Sequence, residues 1–100
     1  MSECCLNLLV PQAYQERLLD ALLMTAQARL VCSGPAAVHG LPHHRMTSKE
    51  QVLGRVELTH VQVLLALADR DLLLAKLGRE CAGQGLRYWI TPVLAQGEFA

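Results

Sequence analysis

Three of the chain's four histidines, His39, His43 and His44, fall within one stretch, GPAAVHGLPHHRMTSKEQVLG, from Gly34 to Gly54. Neutral imidazole is a ready ligand for Zn, Cu, Ni or Co, so the first chemistry on offer is transition-metal binding. Gly40 and Pro42 prevent His39 and His43 from pairing on successive turns of a helix, so a loop would have to wrap the ion. His43 and His44 are adjacent, and in extended chain their side chains diverge. One subunit would then give two or three ligands, with Cys32, Glu50, His60 or a neighbouring subunit supplying the rest. Such a site would be weak and exchangeable, which suits sensing better than structural zinc. The competing reading is a polar loop with solvated histidines, and the spacing matches no standard metal motif.

Arg55, at the exit of that stretch, and Arg87 each read two ways: as an anion ligand, or as one half of a surface or inter-subunit salt bridge. His60 and Trp89 sit in strand-like runs and read as packing or interface residues before ligands. Asp69 and Asp71 read as helix caps. Ser33 and Ser48 have no motif around them, and nothing in the spacing selects Cys32 with His39 or His44 as a thiolate pair. There is no phosphate-binding P-loop and no dinucleotide fingerprint. With no catalytic set to assemble, the chain is expected to be non-enzymatic.

These residues need elements to place them. Cys4 to Val10 (CCLNLLV) reads as a strand buried on both faces and stopped by Pro11. Pro11 suits the first position of a helix over QAYQERLLDALLMT, where Tyr14, Leu18 and Leu22 recur at helical spacing. Ala28 to Ser33 reads as a second strand ended by Gly34-Pro35. Thr47 to Glu50 (TSKE) spells a capping box, which predicts a helical turn over about Lys49 to Leu53 ended by Gly54. Arg55 to Leu67 reads as a long third strand and Asp69 to Cys81 as a second full helix ended by Gly83 and Gly85. Leu86 to Leu94 is the fourth strand, and Pro92 assigns it to a sheet edge. The tail Ala95 to Ala100 carries no strong signal. The order strand, helix, strand, strand, helix, strand predicts an α+β, ferredoxin-like βαββαβ sandwich. Its four-stranded antiparallel sheet carries two helices on one face.

The 100 residues make a single domain. With 52% hydrophobic and only 18% charged residues, so small a body has more apolar material than it can hide, and other subunits are expected to cover the bare sheet face. A formal net charge of zero argues against nucleic acid. No run approaches a membrane span, and the N-terminus lacks the basic region of a signal peptide, so a cytoplasmic protein that is not membrane-inserted is expected. Its four cysteines should then be reduced and mostly buried. None forms a Cys-x-x-Cys pair.

The layout resembles the PII-like signalling proteins. The match is carried by LLVPQAYQERLLDALL (Leu8 to Leu23), the His- and Gly-bearing stretch leading into EQVLGR (Glu50 to Arg55), and YWITPVL (Tyr88 to Leu94). More narrowly, it is similar to a small bacterial branch of PII-like nitrogen-regulatory proteins, often encoded beside heavy-metal efflux pumps. The resemblance implies a homotrimer whose sheets face one another. It implies that Gly34–Gly54 is a long mobile loop that touches a partner, such as a membrane transporter of the metal-efflux class. It also implies a ligand cleft between subunits, with Gly54, Arg55, Gly83 and Arg87 as the cofactor-binding residues. In PII proteins a glycine- and lysine-rich turn cradles nucleotide phosphates there. The matching CAGQGLRYW has Gly83 and Gly85 but no lysine, which argues against ordinary ATP binding. A second reading is a metal-binding protein similar in fold to the divalent-cation-tolerance trimers, with His39, His43 and His44 as the end in itself.

Overall fold

The computed structural model describes residues 2–42 and 46–100. Four strands, β1 (Glu3–Pro11), β2 (Leu30–His39), β3 (Arg55–Ala66) and β4 (Arg87–Val93), form one sheet in the order β2-β3-β1-β4. All three pairings are antiparallel. Helices α1 (Gln15–Leu23) and α3 (Arg70–Glu80) are the two crossovers, and a short helix α2 (Ser48–Leu53) lies between β2 and β3. This is the ferredoxin-like arrangement that the order of elements predicts.

Alternation along the strands decides which residues the helices cover. Cys4, Leu6, Leu8 and Val10 of β1 and Val61, Val63 and Leu65 of β3 are at most 3% exposed, on two strands paired in register. Leu18 and Leu22 of α1 and Leu73 and Leu77 of α3 close over them. Each such side chain contributes about 1.5–3 kcal/mol by leaving water. Polar ties hold the helices in place: Tyr14 donates its hydroxyl to the Glu80 carbonyl at 3.0 Å, and Lys76 Nζ donates to Thr25 Oγ1 at 2.8 Å.

Three expectations from the sequence are corrected. Pro11 is the last residue of β1, not the first of a helix, and a single 3-10 turn over Gln12–Tyr14 precedes α1. β1 is fully buried on one face only, since on the other Asn7 is buried but Cys5 and Leu9 are half-exposed. β2 does not stop at Ser33. It runs on through Gly34 and Pro35 to His39, paired with β3 as far as Arg55. Pro35 is tolerated because β2 is an edge strand, where a missing N–H need not break a ladder. The first six residues of the stretch expected as loop are therefore strand.

Pro92 does lie on an edge, in β4, opposite Cys4. The capping box is also present. Glu50 N donates to Thr47 Oγ1 (3.2 Å), Thr47 N donates to Glu50 Oε1 (2.9 Å), and Gly54 closes α2 at φ 71°. Those caps give α2 its helical shape without a buried residue.

Leu18→Ala should cost about 2–5 kcal/mol of stability, whereas Leu23→Ala, on the exposed side of α1, should stay within about 0.5 kcal/mol. Urea denaturation at a fixed protein concentration measures both.

Candidate functional site

The face of the sheet away from the helices has no cover from the described residues. Its rows run across all four strands. One row reads Cys32, Gln62, Asn7, Trp89, and the next reads Gly34, His60, Leu9, Arg87. The centre is polar and internally paired. Asn7 Nδ2 donates to the Cys5 carbonyl at 3.3 Å, which turns Oδ1 toward His60 Nε2 at 3.0 Å and Gln62 Nε2 at 3.4 Å. Because Oδ1 can only accept, the proton of a neutral His60 sits on Nε2 and its Nδ1 is left with a lone pair. The His60 ring stacks on Trp89 with centroids 5.7 Å apart and planes 27° apart. The two rings reach across β1 and roof Asn7, which is 4% exposed on a face that is otherwise open.

At one end of this face lies a cleft of about 830 Å³. Leu9 and Pro11 end β1 there, and Val56, Glu57 and Leu58 begin β3. Leu41 and Glu50 come from the β2–β3 connection, and Gly83, Gln84, Gly85 and Arg87 from the turn that leads into β4. That turn exists because Gly83 and Gly85 adopt φ 79° and 71°, a region side chains make costly.

The cofactor residues expected from the resemblance divide here. Gly83 and Arg87 line the cleft. Arg55 does not: its Nε pairs with Glu57 Oε1 at 3.0 Å, with both side chains about half exposed. Gly54 serves as the C-cap of α2. Of the histidines, His39 ends β2 opposite Arg55 and is exposed. His43 and His44 lie outside the described residues. Among the described residues no three His, Cys, Asp or Glu side chains cluster as a metal site.

Sequence reasoning missed Asn7 and Gln62. The signal was an amide inside CCLNLLV, since a polar group among apolar strand neighbours implies a dedicated partner. Asp69 takes the N-cap position of α3 but makes no side-chain cap bond, and Asp71 instead accepts from Arg70 Nε at 3.0 Å.

The cysteines are free thiols. Burial pushes the Cys4 thiol above its ordinary value, with the Arg70 charge opposing. Burial also raises Cys81, with the nearby Tyr14 hydroxyl opposing. Cys32 is exposed on the open face. The expectation of mostly buried cysteines therefore holds for Cys4, while Cys5 and Cys81 are half-buried.

A model of the family described as protein of unknown function DUF3240 matches residues 1–100. The chain belongs to the DUF3240 family. A crystal structure of a DUF3240 family protein from Shewanella baltica is similar with a TM-score of 0.82 at 19% identity, covering 100% of this chain and 99% of that one. A proposed PII-like signalling protein from Thermus thermophilus is similar at 0.64 and 14% identity, over 93% of this chain and 88% of that one. A Bacillus cereus protein related to NIF3 gives 0.72 and 14% identity, with 97% of this chain matching 26% of that larger one. No curated protein matches. At these identities the likenesses show a shared fold. The PII-like relationship expected from the sequence thus stands as one of architecture, within a family of unknown function.

Asn7→Ala should lower stability by about 1–3 kcal/mol, because His60 and Gln62 lose their acceptor. ¹⁵N chemical shifts at alkaline pH should show His60 as the Nε2–H tautomer in the native chain and as a mixture in the variant. Under iodoacetamide at about pH 8, Cys4 and Cys81 should be alkylated slowly, because their raised pKa values leave little thiolate. The rate at Cys81 should climb only at higher pH.

Proposed function

We propose that this chain is a non-enzymatic, PII-like regulatory subunit. Copies associate through the open sheet face, as a trimer by analogy with PII proteins. A small ligand or a metal ion is sensed in the cleft and at the β2–β3 connection, and the result is passed to a partner protein. The observation that carries the reading is the make-up of the cleft wall. Leu41 and Glu50 of the connection and the Gly83–Gly85 turn of the rigid body line the same space. A ligand there touches both at once, so its binding energy biases the position of the connection. The fold shared with a proposed PII-like signalling protein supports the same reading.

The open face supports association for a separate reason. Asn7, its most buried polar side chain, is already paired through both Nδ2 and Oδ1, so a second copy can cover that amide without breaking a bond. Partner contact falls to α2, which presents Val52 and Leu53 to solvent at 86% and 52% exposure. A transporter of the metal-efflux class is the partner proposed by resemblance, and the cytoplasm is the proposed location. No helix among the described residues is long and apolar enough to cross a membrane.

A thermal-shift screen of adenine nucleotides, organic acids and Zn, Cu, Ni and Co salts tests the sensing step. At least one compound should raise Tm by several degrees and also slow hydrogen exchange at amides 46–53. A metal response that disappears in the His39/His43/His44→Ala triple variant would place the sensor on the histidines. A silent screen, or stabilisation that never reaches amides 46–53, contradicts the proposal.

A further inference from the structure

We infer that the cleft takes a small amphipathic monoanion, one acidic group on an apolar body, and turns away polyphosphates. The inference rests on the regulatory reading above and narrows its ligand.

Arg87 is the only cation among the described residues that line the cleft, and it makes no ion pair with another described residue. It stands opposite Leu9 in the β1–β4 register, beside the glycine turn. A Cβ built at Gly83 would meet nothing within 4 Å, so the turn that leads to Arg87 leaves open space beside its backbone. One carboxylate or one phosphodiester fits that opening, since a planar fork matches two oxygens.

The remaining walls set the limit on charge. Glu50 and Glu57 both line the cleft. Glu57 is neutralised by Arg55 from outside the wall, at 3.0 Å. Glu50 spends one oxygen on the Thr47 N–H and makes no ion pair with another described residue. Among the described residues Arg87 is then the single cation on the wall open to an anion, and a ligand with one negative charge matches it one to one. A triphosphate would bring about three or four charges against one arginine, in a cleft that Glu50 also lines. Repulsion and unpaired desolvated charge both disfavour it. The lining around Leu9 and Leu58 is apolar and rewards a carbon skeleton, which a phosphate chain lacks.

The probes are 3-phenylpropionate, its uncharged amide, and ATP with Mg²⁺, each added to the full-length protein and followed by ¹H–¹⁵N NMR and calorimetry. The acid should shift the amides of Gly83, Gly85, Arg87 and Leu58 saturably. Removing its charge should weaken binding about tenfold or more, and Arg87→Glu should abolish it, while Arg87→Lys retains part. ATP should give no saturable shift at those amides at millimolar concentration. If ATP saturates them more tightly than the acid, the ligand class is wrong and the regulatory reading stands. If the acid and its amide bind equally, or neither moves those amides, the ligand class is likewise wrong. Failure of the regulatory reading shows separately, as an absence of any ligand that protects amides 46–53.

Discussion

A four-stranded sheet has two faces, and this chain supplies helices for one. That constraint governs the rest. The covered face is packed with Leu6, Leu8, Val61, Val63, Leu18 and Leu73, all at most 3% exposed. The uncovered face is neither a plain oily surface nor a plain wet one. Asn7 is nearly as buried as the core, beneath the stacked rings of His60 and Trp89. An amide in that position costs free energy unless its bonds are made, and here each of its polar atoms has a partner. The proposed association of copies follows from this finish, and the cleft at the edge of the same face would then lie beside a subunit boundary.

The legibility of the fold in the sequence follows the strength of local signals. Thr47 to Glu50 is a capping box in sequence and in structure, because both bonds are made within four residues. Pro92 correctly marks an edge strand. Pro35 misleads for the same physical reason. Read alone it ends a strand, but its place on the outer edge, known only from the sheet order, lets β2 continue to His39. Pro11 is ambiguous in sequence between closing a strand and opening a helix, and tertiary pairing with Leu58 decides for the strand.

The candidate site was legible where glycine and arginine carry the signal. Gly83 and Arg87, expected from the resemblance, line the cleft, and Gly83 takes the positive φ of the turn there. Arg55 was equally plausible by sequence. Its neighbour two residues on, Glu57, takes it up as an ion pair instead. The roof over Asn7 was not legible, because His60, Asn7 and Trp89 are far apart in the chain, His60 and Asn7 by 53 residues, and meet only through two strand registers. The cleft and the open face share Leu9 and Arg87, which are paired across β1 and β4, with His60 on the other side of Leu9. In the proposed assembly, a change at the subunit boundary and a change in the cleft would press on the same pair of residues.

The central claim is that copies of this chain cover the open face. Sedimentation velocity of the purified full-length protein at micromolar concentration tests it most directly. The account predicts one species with a mass near three times the 11.0 kDa of the chain, shifted toward smaller species by Trp89→Glu. A single species at the mass of one chain, unchanged over a hundredfold range of concentration, would contradict it.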